Sequence, residues 1–136
     1  MEKIKSCGCG CGILLIICAA LLVSLLTQCT SNAEYKNTSV DTLCSEFLSN
    51  TARAKKNYKG KNLIISGNIS GIQEDIKYIT LYSVEYPNVI LEFRVKSKGV
   101  KKKIMQLDTG DHITIRCKCK SVSSDKGYKF DIISME

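Results

Sequence analysis

The sequence is poor in the residue types on which most catalytic sites depend. It has 136 residues but a single histidine, His112, and no tryptophan. A zinc hydrolase or a Cys–His nucleophile pair would therefore have to be built from His112 and a cysteine that faces the core. No catalytic constellation is recognisable in the sequence. We predict a protein that is not an enzyme and that holds no metal or cofactor.

The cysteines also lack the spacing of a metal site. Three of the eight, Cys7, Cys9 and Cys11, alternate with glycine, and no C-x-x-C pair lies near them. After the N-terminal region only Cys44, Cys117 and Cys119 remain, and an odd number cannot all pair within one chain. Cys117 and Cys119 are too close on one strand face to bridge each other, but either could reach Cys44. A disulfide of that kind and three buried free thiols both remain open.

Acidic residues are the minority charge. The chain has 13 Asp and Glu against 20 Lys and Arg, which gives a formal net charge of +7. Such a surplus favours anionic partners, such as nucleic acid, phospholipid headgroups or acidic glycans, although a solvated basic surface has the same composition.

Long uncharged runs are confined to the N-terminus. Residues 13–26 carry no charge and are mostly Ile, Leu and Val, so insertion into a bilayer is favourable. Lys3 and Lys5 precede this run and the next cation is Lys36, which places the N-terminus in the cytoplasm and the following domain outside it. We therefore predict that residues 1–29 form a membrane anchor or a lipoprotein signal segment.

The end of this segment decides between those two fates. Leu26-Thr27-Gln28-Cys29 resembles a bacterial lipobox, which makes Cys29 a candidate for lipidation. Gln28 departs from the small residue that normally precedes the lipidated cysteine. Lipoprotein processing, an uncleaved anchor and ordinary secretion remain open.

A helix is predicted after a short polar tether at residues 30–38. Ser39 is a suitable N-cap and Asp41 suits the positive end of a helix dipole. The apolar positions that follow recur at helical spacing; they are Val40, Leu43, Cys44, Phe47, Leu48 and Thr51.

Residues 39–136 are predicted to form one domain with five strands. Three runs that alternate at period two lie at residues 63–72, 78–83 and 89–95, and two more follow from His112 to Lys120 and around Tyr128. A short helix is predicted at residues 97–107, between the third and fourth strands. Gly67 would bend the first strand and Gly110 would take positive φ in a turn. This order is typical of a closed five-stranded OB-fold barrel.

The sequence also resembles a known family. The residues that carry the resemblance are Leu43-x3-Phe47-x2-Asn50-x3-Ala54-x3-Tyr58-Lys59-Gly60-Lys61, then Gly67 and Ile69, then Leu107-x2-Gly110-Asp111-x-Ile113. They are similar to the tRNA-anticodon-binding-like OB-fold family of bacterial lipoproteins and membrane-anchored proteins. The resemblance covers residues 40–134 and implies an OB fold descended from nucleic-acid-binding domains. The family's glycine-x-cysteine-x-glycine pattern near the end of strand four is replaced here by Cys117, Cys119 and Ser121.

The predicted ligand-binding residues lie on the outer faces of the strands. OB barrels bind ligands along strands two and three, where Tyr78, Tyr82 and Arg94 would offer stacking surfaces beside a cation. Strand four would present Arg116, Lys118 and Lys120 on one side, which also suits a solvated edge.

From these features we predict a binding or assembly module that is held at the membrane, faces the extracytoplasmic side and engages a protein or glycan partner. The alternative is an OB domain that binds single-stranded nucleic acid. The sequence does not predict the oligomeric state.

Overall fold

A computed structural model of the protein describes residues 33–136, and residues 34–136 form one compact unit. The predicted anchor segment, the glycine–cysteine run and Cys29 lie outside the described residues. Within residues 33–136 every helix is too short or too polar to cross a membrane. Buried apolar side chains run from Val40 to Met135, so this part of the chain has a complete core of its own and is expected to fold alone.

The described residues contain six strands and three helices. The strands are β1 (Lys36–Ser39), β2 (Asn62–Ile72), β3 (Tyr78–Tyr82), β4 (Leu91–Arg94), β5 (His112–Ser123) and β6 (Gly127–Met135). The helices are α1 (Val40–Ser49), α2 (Thr51–Tyr58) and α3 (Lys98–Ile104).

Five of the strands close into a barrel. The sheet order is β1-β2-β3-β4-β6-β5, and β5 pairs back with β2. The β4–β6 pair is parallel and the other barrel pairs are antiparallel. This arrangement confirms the predicted five-stranded OB-type barrel with helices, and closure leaves its strands without free edges at the seam.

The predicted tether differs from the structure at its C-terminal end, because Lys36–Ser39 forms strand β1. This strand pairs in parallel with β2, from Lys36 opposite Leu63 to Ser39 opposite Ser66. On the same edge β2 pairs with β3 only from Asn68 onward, while β5 occupies the opposite edge of β2. β1 therefore satisfies backbone groups of β2 that β3 does not reach.

The predicted helix is divided in two at Asn50. Ser39 caps α1 as predicted, accepting a hydrogen bond from Thr42 N at 3.1 Å. Asn50 has extended backbone and its side chain accepts from Arg53 N at 2.9 Å, so it starts α2 as an N-cap. Leu48, which the apolar spacing assigned to the buried face, lies within α1 but is 58% exposed.

The inward faces of the strands are those that the alternation predicts. Leu63, Ile65 and Ile69 of β2 are fully buried, as are the inward residues of the other barrel strands. Tyr128 joins the barrel to the helices: its ring packs against Phe47 and Tyr58, and its hydroxyl donates to Leu43 O at 2.8 Å.

Gly67 has a different role from the predicted bend. It pairs in register with Ile113, and the irregularity of β2 lies farther on, between Ile69 and Gly71. A side chain at position 67 would overlap the Val40 side chain of α1. Gly67 therefore allows the helix to approach the strand closely. Gly110 does take positive φ, at 96°, as predicted.

All three described cysteines, Cys44, Cys117 and Cys119, are buried free thiols. The disulfide that the sequence left open is therefore not formed. β5 is irregular between Cys119 and Ser121, so strand four retains a bulge with serine at the glycine position of the family pattern.

Candidate functional site

A groove crosses the outer face of β3, β4, β6 and β5, and we call it the β3–β6 groove. It has a volume of about 310 Å³. Its lining residues are Tyr78, Glu92, Arg94, Lys96, Lys120, Ser121, Lys129, Phe130 and Asp131. Three of the predicted site residues, Tyr78, Arg94 and Lys120, therefore come together here.

Strand pairing brings these side chains into one row. Tyr78 of β3 lies opposite Arg94 of β4, and Arg94 lies opposite Asp131 of β6. Because side chains alternate along each strand, residues paired in this way share the outer face. The half-buried Tyr78 and Arg94 therefore occupy directly opposed positions on the same outer face.

Two acidic residues neutralise part of the positive charge in the groove. Lys96 Nζ lies 2.6 Å from Asp131 Oδ2, and Lys129 Nζ lies 3.4 Å from Glu92 Oε1. Among residues 33–136, no acidic side chain pairs with Arg94 or Lys120. These two cations are consequently free to meet an anion in the groove.

Lys120 depends on the β5 bulge for its position. The pairing of β5 with β6 shifts between Cys119 and Ser121, leaving Lys120 as the extra residue. A bulge re-aims the side chain that it contains. Sequence alternation predicts that Lys120 is exposed, but the bulge accounts for its place in the groove.

Tyr82 lies in a second groove rather than with Tyr78. This Tyr82 groove has a volume of about 480 Å³. It is lined by Ser39, Val40, Asp41, Ser66, Gly67, Asn68, Tyr82, Val84, Glu85 and His112. Tyr82 is 37% exposed and Val84 is 81% exposed. The two tyrosines share a strand face but stand at opposite ends of β3, so the structure does not combine them in one site.

Arg116 and Lys118 lie outside both grooves. Arg116 pairs with Glu136 at 3.0 Å, and its guanidinium carbon lies 5.8 Å from the centre of the Tyr35 ring. Lys118 is exposed on β5, opposite Asn62 of β2 and Asp131 of β6.

The three described cysteines are held as protonated thiols. Burial raises the pKa of Cys44 and Cys119 to about 12 and also raises the pKa of Cys117. A thiol with so high a pKa carries almost no thiolate at neutral pH. His112 Nδ1 lies 2.8 Å from Asn68 Oδ1. Within the described part of the chain, no three His, Cys, Asp or Glu side chains lie close enough to hold a metal ion.

The β3–β6 groove therefore offers binding chemistry: an aromatic side chain, two cations without an ion-pair partner among the described residues, and two ion pairs. Sequence reasoning missed Lys96 and Asp131 as groove residues. Lys96 follows β4 and Asp131 lies in the middle of β6, and neither position has a sequence signal of its own. The parallel pairing of β4 with β6 brings Asp131 opposite Arg94.

Comparison with solved structures supports the fold. A candidate nucleic acid-binding lipoprotein of Klebsiella pneumoniae is similar over 74% of this chain and 92% of its own, with 18% identity and a TM-score of 0.57. A protein of Leishmania major assigned as an aspartyl-tRNA synthetase is similar over 87% of this chain, with 14% identity and a TM-score of 0.52. The asparaginyl-tRNA synthetase of Entamoeba histolytica is similar over 77% of this chain, with 11% identity and a TM-score of 0.50.

The chain spans only 25% and 23% of the two synthetases, so the likeness is to one part of each enzyme. No curated protein matches the sequence. At these identities the structural likeness shows a shared fold.

The family comparison covers more of the sequence than the described residues do. The model of the family described as tRNA_anti-like matches residues 13–128, which is most of the chain. Together with the closed barrel and its parallel β4–β6 pair, this match identifies the family. The chain belongs to the tRNA_anti-like family.

Proposed function

We propose that the protein is a non-enzymatic binding module whose β3–β6 groove takes single-stranded nucleic acid. The observation that carries the proposal is the position of Tyr78 beside Arg94 in a groove that also contains Lys120. The nucleic-acid-binding description of the Klebsiella lipoprotein, which has the same fold, also supports it.

The chemistry of the groove suits such a ligand. A base stacked on an aromatic side chain contributes about 1–3 kcal/mol, and every base has a face that can stack. Arg94 and Lys120 are placed to meet backbone phosphates. Glu92 and Asp131 oppose a polyphosphate track, so we expect a short site that holds one or two phosphates.

The proposal includes a location. The uncharged run at residues 13–26 anchors the chain in the cytoplasmic membrane, and the barrel lies on the extracytoplasmic side. The lipoprotein description of the Klebsiella structure supports membrane association. Labelling of intact cells with a membrane-impermeant amine reagent tests the topology, because the exposed lysines of the barrel should react without lysis.

Fluorescence anisotropy of a labelled single-stranded oligothymidine, with the full chain in non-ionic detergent, tests the nucleic-acid site. Arg94→Gln combined with Lys120→Gln should weaken binding. The dependence of log K on log salt should become shallower by about 0.7 for each phosphate that the variant no longer neutralises. The control removes the same charge from α3 with Lys98→Gln and Lys102→Gln and should have little effect.

Two results would refute the nucleic-acid site. One is no anisotropy change even at low salt. The other is an equal loss of affinity in the groove variant and the α3 control, which would indicate that oligonucleotide binding depends only on the net charge of the protein.

A second candidate function is binding of a protein or glycan in the Tyr82 groove. Its exposed Tyr82 ring and Val84 side chain lie beside Asp41 and Glu85, which suits a neutral or cationic partner better than nucleic acid. A photocrosslinking residue at position 82 should capture that partner in living cells. The same residue at Ile133, which is 48% exposed on β6, is the control.

A further inference from the structure

A third groove lies where the chain enters the barrel, and we call it the Lys36 groove. It has a volume of about 360 Å³. Its lining residues are Glu34, Lys36, Asn57, Gly60, Lys61 and Asn62. Two lysines and Asn62 provide donors for an anion there. Glu34 is the one carboxylate among the lining residues, and Asn57 Nδ2 donates to the nearby Glu46 Oε2 at 3.5 Å.

Backbone hydrogen bonds fix the walls of this groove. β1 places Lys36 opposite Leu63, next to the start of β2. The turn after α2 is held to β5, since Gly60 N donates to Cys119 O at 2.8 Å and Cys119 N donates to Lys61 O at 2.9 Å. Lys36 Nζ lies 4.9 Å from the centre of the Tyr58 ring, a cation–π arrangement that orients its side chain.

The surface around the groove is rich in positive charge. Between Glu46 and Glu74 the sequence contains no acidic residue. Five cations lie within the same stretch, namely Arg53, Lys55, Lys56, Lys59 and Lys61, and all are exposed. Among residues 33–136, none of these five and neither Lys36 nor Lys118 forms an ion pair.

The number of residues between the apolar run and Lys36 limits how far this surface can lie from a membrane that holds the run. The run ends at Leu26, and Lys36 is the first cation after it. An extended chain spans at most about 3.5 Å per residue, so Lys36 lies within about 35 Å of the end of the run. A membrane that holds residues 13–26 is therefore within reach of the Lys36 groove.

We propose that the Lys36 groove and the cations around it dock on the headgroups of anionic phospholipids. The inference rests on the proposed membrane anchor and adds to it a second, electrostatic contact that orients the barrel. Headgroup phosphates would be received by Lys36 and Lys61, with Asn62 as a neutral donor beside them. Anionic lipid attracts each lysine near its surface, and the effect of one lysine corresponds to about a fivefold change in binding.

Charge-matched variants separate this surface from the net charge of the domain. Lys36→Gln with Lys61→Gln removes two charges from the groove. Lys98→Gln with Lys102→Gln removes two charges from α3. That helix lies near the far end of β2, because the neighbouring Lys101 Nζ donates to Asp75 O in the β2–β3 turn. The Lys36 groove lies at the start of the 11-residue strand β2 and the Lys101 contact at its end, so the two places are near opposite ends of this strand.

Sedimentation of residues 33–136 with vesicles tests the proposal. The vesicles contain phosphatidylcholine alone or phosphatidylcholine and phosphatidylglycerol at a ratio of 7:3, in low salt. We expect binding only to the phosphatidylglycerol vesicles. The groove pair should lower the partition coefficient about 25-fold, and the α3 pair should lower it less than threefold. All four positions are exposed, and circular dichroism checks that the variants fold.

Three outcomes would overturn the proposal: no binding to anionic vesicles, equal losses in the two double variants, or a groove pair that loses oligonucleotide affinity while retaining vesicle binding. The last outcome would assign the surface to nucleic acid. Carbonate extraction of the full chain from membranes tests the anchor separately. The oligonucleotide experiment with the Arg94 and Lys120 variants tests nucleic-acid binding in the β3–β6 groove, and its result does not depend on lipid binding.

Discussion

Two buried tyrosines, Tyr58 and Tyr128, lie where the helices contact the barrel. We expect the loss of each hydroxyl group to change the free energy of unfolding differently. Tyr128 donates a hydrogen bond to Leu43 O at 2.8 Å. The Tyr58 hydroxyl has no hydrogen-bond partner among residues 33–136, and neither does the Thr38 hydroxyl. Both rings are completely buried and lie 6.1 Å apart.

The hydrogen-bond difference sets the expected magnitudes. Tyr128→Phe removes one buried hydrogen bond, which should lower the free energy of unfolding by about 1 kcal/mol. The Leu43 carbonyl keeps the N–H of the next helical turn as a donor, which limits the loss. Tyr58→Phe removes a buried hydroxyl that has no partner within hydrogen-bonding geometry in the folded state. It should therefore be neutral or raise the free energy of unfolding by up to about 1 kcal/mol.

Urea unfolding of residues 33–136 measures both changes. The slope m should be unchanged in each variant, since neither substitution alters the surface exposed on unfolding. The reasoning is refuted if Tyr58→Phe costs as much as Tyr128→Phe. In that case the Tyr58 hydroxyl would have a partner, and Glu46, whose carboxylate helps burial raise the pKa of Tyr58 to about 12, would be the first to examine.

The structure makes three further predictions. Gly127→Ala should lower the free energy of unfolding by about 2 kcal/mol or more, because φ is 69° and a Cβ would overlap the backbone carbonyl of Ile90. Gly60→Ala, with φ of 78° but open space, should cost about 1 kcal/mol, and thermal unfolding compares them. Stability should be fully present below pH 9 and fall between pH 9 and about 12, by at most about 1.4 kcal/mol per pH unit for each thiol. The reason is that burial raises the folded-state pKa of Cys44 and Cys119 from 9.0 to about 12, so these thiols lose their protons at lower pH in the unfolded chain than in the folded one. A free energy of unfolding that does not change between pH 9 and about 12 would contradict this prediction. Asp131→Asn should tighten oligonucleotide binding several-fold, since it releases Lys96 and removes a negative charge from the β3–β6 groove, and unchanged or weaker binding by anisotropy would count against the site.

The fold was largely predictable because period-two alternation decides which residues face the core. The inward series Ile113, Ile115, Cys117 and Cys119 of β5 could be read from the sequence, and each of these residues is buried. β1 could not be read in this way. Its residues, Lys36 to Ser39, are polar, and backbone hydrogen bonds to β2 hold it in place, so the side-chain pattern carries no signal.

The sites were less predictable, because alternation assigns a face but not a place on a curved barrel. Tyr78 and Tyr82 share a face, yet one lines the β3–β6 groove and the other the Tyr82 groove. The break between α1 and α2 could have been predicted from Asn50, because asparagine is a favoured N-cap. The apolar residues continue at helical spacing across this position, so the pattern indicated one helix.

The outer face of β5 links the two proposed binding surfaces without merging them. Lys118 lies opposite Asn62, which lines the Lys36 groove, and also opposite Asp131, which lines the β3–β6 groove. The bulge that follows turns Lys120 into the β3–β6 groove. If β5 were regular, its cations would form one basic stripe, and lipid and nucleic acid would compete for it. Because the bulge divides them, a barrel docked on lipid through Lys36 and Lys61 would leave Tyr78, Arg94 and Lys120 open, so anionic vesicles should not displace a bound oligonucleotide.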